Sequence, residues 1–347
     1  KELTYSDVFL VPRRSGVRSR MQVDTSPANG LGMTVPIVAA NMTAVSGRRM
    51  AETLARRGGL AVLPQDMSME RVQDIVQFVK TRHPVYETPV VMRAEESIQH
   101  ALNIIYKRSH GAVIIVDDGM RPIGIFTERD ARGRDRFMQL GDVMTTDLVT
   151  ISHGMAPEEM FHLLEERRLP IAPIVNEEGV LVGAMSHKGA LRASMYKAAI
   201  NQRGELLTAV AVGINRDVPG VVTKLRDMGV DIIVMDTAHG HQERMIEAVR
   251  QARQTLGPGY PIAAGNIVTA QAAKDLIEAG ATILKVGVGP GAMCTTRMAT
   301  GVGRPQFSAV KEVADLAKTY SGISVWADGG TKHPRDIALA VAAGADA

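Results

Sequence analysis

The chain has 347 residues, 45% hydrophobic and 22% charged, with a formal net charge of +3. That length suits two domains or one large α/β domain with an insertion, and so small a charge gives no electrostatic basis for a nucleic-acid or membrane partner. A single cysteine excludes an internal disulfide and a cysteine-based zinc site; no apolar run approaches the roughly eighteen residues of a membrane helix, and Lys1-Glu2-Leu3-Thr4-Tyr5 is no signal peptide, so a cytoplasmic protein is expected.

Along the chain, Pro36 to Met42 and Gly59 to Pro64 are short, nearly all-apolar runs, as parallel strands buried on both faces require. Runs of the same kind resume at Thr208 to Gly213, then follow at Asp231 to Ala238, Pro261 to Asn266, Thr282 to Val288 and Ser324 to Gly330. Between them lie amphipathic stretches such as Val218 to Met228 and Ala270 to Ala279, each ended by a glycine, Gly229 or Gly280. Polar residues gather where the runs end: Asn41, Asp236, Asn266, Cys294 and Asp328. Active sites of (β/α)8 barrels are built at those ends, whereas an open doubly wound sheet has its site at one switch point. The predicted fold is therefore α/β, a (β/α)8 TIM barrel. Seven strands cannot close a barrel without bare edges, so the chain is read as truncated before its eighth strand, with a C-terminal portion lying beyond Ala347.

The gap between Pro64 and Thr208 holds an internal repeat. Ala112 to Asp118 followed by Pro122 to Gly124 is matched, roughly sixty residues on, by Ile171 to Glu177 followed by Leu181 to Gly183. Amphipathic helices at Ile98 to Tyr106 and Pro157 to Arg167 precede the two copies. The basic stretch from Arg129 to Arg136 is broken by Asp130 and Asp135 and reads as a solvated linker first, with a phosphate-binding role as the alternative. The repeat resembles a tandem pair of CBS domains, modules that bind adenine or guanine nucleotides. Their Ser/Thr-x-x-Asp pattern stands as Thr127-Glu128-Arg129-Asp130 in the first copy, whereas Ser186-His187-Lys188-Gly189 in the second has lost the acid. The resemblance implies an ATP- or GTP-type nucleotide at Thr127 and Asp130; a purely structural appendage is the competing reading. The expected division is a barrel at 1–84, the inserted module at 85–200, and the barrel resumed at 201–347.

The densest chemistry lies in Gly287-Val288-Gly289-Pro290-Gly291-Ala292-Met293-Cys294-Thr295-Thr296-Arg297. Glycines let a backbone pass close to a ligand, and a thiol followed by two hydroxyls suits a nucleophile presented beside a bound anion. A lone cysteine is otherwise most often a small buried core residue. Asp236 and Asn266 could equally cap the helices that follow them. His239 and His241, two apart beside one acid, are too weak a pattern for a transition metal.

A barrel interrupted after its second strand by a paired module, with Gly-Pro-Gly-x-x-Cys-Thr-Thr-Arg after the sixth, resembles the IMP dehydrogenase and GMP reductase family. The likeness runs from Leu3-Thr4-Tyr5-Ser6-Asp7-Val8 to Ala327-Asp328-Gly329-Gly330. It implies that Cys294 bonds to purine C2 and that Thr296 assists the water or leaving ammonia. Asp328 would bind the ribose hydroxyls, with Asn41, Met42, Gly291, Ala292, Gly329 and Gly330 also around the substrate. Asp236, Thr237 and Asn266 would face NADPH or NAD. Carbonyls of Gly289, Gly291 and Cys294 would match a monovalent cation site, possible K+ in the family. Ala292 departs from the family's serine, leaving phosphate binding there to backbone amides. The resemblance also implies a homotetramer or octamer.

Two reactions share such a site, IMP oxidation with NAD and GMP reduction with NADPH. The insertion and Asp236-Thr237-Ala238-His239-Gly240-His241 look like bacterial dehydrogenases. Ala39-Ala40-Asn41-Met42 and Thr300-Gly301-Val302-Gly303-Arg304-Pro305-Gln306 look more like reductases. With Gly291-Ala292-Met293-Cys294, the combination is most similar to CBS-containing, IMP dehydrogenase-related proteins of actinobacteria. The expectation is therefore a GMP reductase, with IMP dehydrogenase as the alternative and a non-catalytic nucleotide sensor as the third reading.

Overall fold

Two units make up the chain in the computed structural model, residues 1–81 with 198–347, and residues 82–197; the structure describes residues 1–28, 31–105, 111–291 and 294–347. The first unit opens with β1 (Val38–Ala39), α1 (Arg48–Arg56), β2 (Leu60–Leu63) and α2 (Met69–Lys80). The chain then builds the second unit from β3 (Val91–Met92), α3 (Ile98–Ile105), β4 (Ala112–Val116), β5 (Pro122–Thr127), β6 (Ile151–Ser152), α4 (Pro157–Glu166), β7 (Ile171–Val175), β8 (Leu181–Ser186) and α5 (His187–Met195). It returns to the first through β9 (Ala209–Gly213), α6 (Val218–Asp227), β10 (Ile232–Asp236), α7 (Glu243–Leu256), β11 (Ile262–Ile267) and α8 (Ala270–Ala279). β12 (Ile283–Val286), α9 (Thr296–Thr300), α10 (Gln306–Ala317), β13 (Ser324–Ala327) and α11 (Pro334–Ala343) complete it.

The first unit is a curled half-barrel of seven parallel strands in the order β1-β2-β9-β10-β11-β12-β13. Successive strand residues point to opposite faces, and here both faces are apolar. Leu60, Val62, Ala209, Ala211, Val234, Ile283 and Trp326 cluster on one face. Ala61, Leu63, Val210, Met235, Leu284 and Val325 pack on the other, against Val72, Val222, Val249, Leu276 and Val310 of the helices. Each apolar run picked out in the sequence coincides with one of these strands; β11 runs one residue past Asn266 to Ile267, and the other strands are shorter than their runs.

Among the described residues no strand follows β13, as expected, and the last residues lie against it: the Asp346 and Ala347 amides donate to the Val325 carbonyl, and the Ala347 carbonyl accepts the Ala327 amide. The Asp346 side chain also takes the Val325 amide at 2.8 Å.

The second unit consists of two three-stranded sheets, β3-β4-β5 and β6-β7-β8. Each combines a parallel pair with an antiparallel hairpin, so the sequence repeat is a repeat of structure. Ala112, Ile114 and Val116 of one sheet share an apolar cluster with Ile171, Leu181 and Ala184 of the other. Helix α3 ends at Ile105; Tyr106, which the sequence reading included in it, lies outside the described residues. The observed boundaries fall three residues earlier than expected at both ends. His83 stacks on Tyr86 with ring centroids 3.6 Å apart, which ties it to the second unit. Ala199 donates its amide to Ala55 at 2.7 Å and so belongs with the first.

In the first repeat, the Thr127 amide and hydroxyl both donate to Asp130, at 2.7 and 2.8 Å. In the second, Gly189 offers no acid, and Glu87 takes its place: its carboxylate accepts the Ser186 amide at 2.7 Å. The Glu87 backbone meanwhile exchanges two hydrogen bonds with Ala184, both 2.9 Å.

Candidate functional site

Strand alternation builds the site. On β12, Ile283 faces the curled sheet's inner cluster, and Lys285 follows two residues on, facing the same way at the strand's C-terminal end. Val234 leads in the same manner to Asp236, and Trp326 to Asp328. Three charged residues thus sit one layer above an apolar floor.

Lys285 is the centre. Its ammonium lies 2.5 Å from Asp328 Oδ2, 3.1 Å from Asp236 Oδ1 and 2.9 Å from Asn266 Oδ1. Asn266 donates to Asp328 Oδ2 at 2.8 Å and to the Gly287 carbonyl at 2.7 Å. Asn41 donates to Asp236 Oδ2 at 2.9 Å. Burial opposes the charge on Lys285, yet the two carboxylates outweigh it and hold the ammonium above its ordinary value. Burial likewise pushes the Asp328 carboxyl up, but the adjacent ammonium and the Asn266 amide bring it below the usual range.

Four of the predicted residues, Asn41, Asp236, Asn266 and Asp328, are therefore drawn together. What joins them is Lys285, which the sequence reading passed over. The competing idea that Asp236 and Asn266 cap helices is not what the structure shows, since Gln242 precedes α7 and Thr269 caps α8.

The β12 exit loop packs against the β13 exit loop. A β-carbon on Gly287 would collide with the Asp328 carbonyl, so only glycine lets the two strands part this closely. One on Gly329 would stand 3.5 Å from the Gly291 amide nitrogen, and one on Gly330 would stand 3.2 Å from Pro290 Cβ. Gln306 fastens the pair from below, donating to the Val286 carbonyl at 2.8 Å and the Asp328 carbonyl at 3.2 Å. Arg304 ties the returning strand of the loop, with its guanidinium on Glu2, Glu312 and the Val268 carbonyl.

Cys294 sits partly exposed on this loop, its amide donating to the Gly291 carbonyl at 3.3 Å. The Thr296 hydroxyl and amide, helped by the backbone at Gly289 and Arg297, stabilise the thiolate and lower the thiol's pKa against a small opposing effect of burial. The buried-core reading of this cysteine is excluded by its exposure. Replacing Thr296 by valine is expected to raise the pH at which Cys294 becomes reactive, because the side-chain hydroxyl that stabilises the thiolate is lost. Because the chain has one cysteine, the rate of iodoacetamide alkylation against pH measures this directly.

Met42 is 46% exposed and joins neither group. Ala292 lies outside the described residues. Thr237 exchanges backbone hydrogen bonds with Gly265 and Asn266, at 3.0 and 2.9 Å. With Asp236 and Ala238 it also lines a cleft of about 260 Å³, whose other walls are Gln65, Gly213, Ile214, Asn215 and Arg216. Gly213 and Gln65 meet closely in its wall; a β-carbon at 213 would strike the Gln65 side-chain oxygen. His241 pairs with Asp275 at 2.8 Å, and among the described residues no group of acids, histidines and cysteines could hold a metal ion. No helix among them is long and apolar enough to cross a membrane.

The IMP dehydrogenase / GMP reductase domain matches residues 2–347. GMP reductase of Mycobacterium tuberculosis (strain H37Rv form) is 51% identical over 344 residues, covering 99% of this chain and 71% of that protein. Inosine-5′-monophosphate dehydrogenase of Methanocaldococcus jannaschii is 39% identical over 351 residues, covering 100% and 70%. Among solved structures, GMP reductase from Trypanosoma brucei in complex with guanosine 5′-monophosphate aligns with a TM-score of 0.66 at 33% identity, over 100% of this chain and 75% of that one. The same enzyme in complex with guanosine 5′-triphosphate gives 0.65 at 32%, over 100% and 85%.

Proposed function

The chain belongs to the IMP dehydrogenase / GMP reductase family of oxidoreductases, and from that premise we propose that it is a GMP reductase, converting GMP to IMP with release of ammonia. The observation that carries the reading is Cys294, a partly exposed thiol whose pKa is lowered by Thr296, on a loop packed against the one that bears Asp328. The direction of the reaction rests on the 51% identity to a GMP reductase.

In this reading the Cys294 thiolate bonds to C2 of the purine, which splits one difficult substitution into two easier ones. The C2–N bond breaks, and the amino group leaves as ammonia after taking a proton, with the Thr296 hydroxyl beside the sulfur as relay. NADPH, when bound, would supply a hydride to C2, and Cys294 would leave as the thiolate, giving IMP. Asp328 takes the ribose hydroxyls. Its Oδ2 is held by Lys285 and Asn266, while Oδ1 has no hydrogen bond to another described residue and remains available. The amides at Gly291, Gly329 and Gly330 surround the 5′-phosphate, at the barrel position where phosphate is commonly bound.

The cleft beside Asp236 suits the nicotinamide of a cofactor: it is about 260 Å³, and Thr237 and Asn215 in its lining offer polar contacts. Potassium fits less well. The Gly291 carbonyl expected to hold it is turned to the Cys294 amide, and no step is derived through that ion. The closed (β/α)8 barrel, the tandem CBS character of residues 82–197, and a nucleotide at Thr127 and Asp130 belong to the same proposal. The paired Thr127–Asp130 hydrogen bonds support the last of these.

The deciding experiment follows absorbance at the reduced-cofactor band with the full-length protein. Consumption of NADPH with GMP and stoichiometric ammonia supports the proposal. Reduction of NAD with IMP, without GMP turnover, makes the protein an IMP dehydrogenase instead.

A further inference from the structure

The fork where β12 and β13 part is closed by a side chain. Val286 faces Ala327 in the last paired register of the two strands, and the Val286 carbonyl accepts the Asp328 amide at 2.8 Å. A further rung of a parallel ladder would bring the amide of residue 288 to the Asp328 carbonyl. The donor found there is Gln306 Nε2, at 3.2 Å, and the same nitrogen donates to the Val286 carbonyl at 2.8 Å. Gln306 is 2% exposed and opens α10, two residues after Arg304, whose guanidinium is fixed on Glu2, Glu312 and the Val268 carbonyl. Its Oε1 is buried with no hydrogen-bond partner among the described residues. Turning the carboxamide over would set that oxygen against two carbonyls, so its orientation is fixed by what it donates. An unpaired buried acceptor opposes folding, and an apolar side chain of the same size would avoid it. The two donated bonds are therefore what this residue contributes.

Those bonds join the feet of two loops with different tasks. The loop leaving β12 carries Cys294, and the loop leaving β13 begins at Asp328. A nucleotide held by its sugar at the second loop meets the sulfur only if the first loop starts at the right place, and reacting atoms must approach to about 3–3.5 Å in good alignment. Resting on the reading of Cys294 as the nucleophile and Asp328 as the ribose ligand, we propose that Gln306 is a positioning residue, which sets the reach of Cys294 to a purine whose sugar is held at Asp328. It is buried under both loops and acts through them.

Gln306→Met keeps the length of the side chain and removes both donors. In the full-length protein it is expected to lower kcat for GMP reduction by about a hundred-fold and to leave the GMP dissociation constant within about three-fold. Alkylation of Cys294 by iodoacetamide without nucleotide keeps its wild-type rate and pH profile, because Thr296 and the backbone at Gly289 and Arg297 set the thiol. Saturating GMP, which shields the thiol in the wild type, shields it less in the variant. Gln306→Glu supplies a second measurement. Its carboxylate faces two carbonyls at neutral pH, whereas the protonated carboxyl donates to one of them, so its deficit in kcat narrows as pH falls while that of Gln306→Met stays constant. A Gln306→Met kcat within about three-fold of wild type overturns the proposal. So does a loss confined to GMP affinity, or a free thiol of altered reactivity, either of which leaves Gln306 a merely structural part. Where Gln306→Met does not fold, a Gln306→Glu deficit independent of pH overturns it. Equal shielding by GMP in wild type and variant does the same, whether or not either protein turns over. If the wild type oxidises IMP with NAD instead, the same comparison on IMP decides this inference, and only the assigned reaction falls.

Discussion

Cys294→Ala is expected to abolish GMP-dependent oxidation of NADPH, by at least about ten-thousand-fold in kcat, with little change in thermal midpoint. The loss is large because no neighbour can take over: the chain holds one thiol, and the hydroxyl two residues on, Thr296, is already engaged with the sulfur. Stability is spared because the side chain is partly exposed and fills no core space. GMP should still bind, since Asp328, Gly329 and Gly330 are untouched; equilibrium titration of the variant with GMP checks this. Residual turnover above about one per cent would place the nucleophile elsewhere. Cys294→Ser should not rescue, because a serine hydroxyl at neutral pH is a far weaker nucleophile than a thiolate.

Lys285→Met is expected to cost about 3–5 kcal/mol of stability, because it leaves two carboxylates and a carboxamide oxygen around a methyl group. The sign with pH follows from the two shifts. Lys285 is held above its ordinary 10.5, so its contribution is complete below that pH and fades as pH rises through the higher folded value. Asp328 is held below its ordinary 3.8, so its contribution is complete above that pH and fades as pH falls through the lower folded value. The difference between wild type and variant is therefore widest over the whole neutral range. Urea unfolding of both proteins at several pH values measures this, and a difference below about 1 kcal/mol at pH 7 would refute the clamp's importance.

Much of this was legible in the residues. The parallel strands announced themselves because burial on both faces leaves little room for polar residues, so each reads as an unbroken apolar run. The cysteine loop announced itself because close backbone approach demands glycine, and glycine is visible in sequence. Lys285 was hidden by the same logic: one lysine inside an apolar run looks like an exception to burial, and its two partners stand 49 and 43 residues away. The cleft was hidden for a similar reason. Gln65, Gly213, Arg216 and Asp236 carry no spacing pattern, and only the curl of the sheet makes them neighbours. The acid lost at Gly189 was correctly seen as missing, but nothing local could say that Glu87, about a hundred residues earlier, stands in for it.

The Glu87–Ala184 pairing has a consequence for how one protein can carry another within it. Residue 87 lies just after the chain crosses into the inserted unit, and Ala184 lies just before the helix by which it departs. The insert thus ties a residue near its start to its last strand by its own hydrogen bonds. In the other unit, the parallel sheet runs from β2 to β9 as direct neighbours, although more than a hundred residues separate them in sequence.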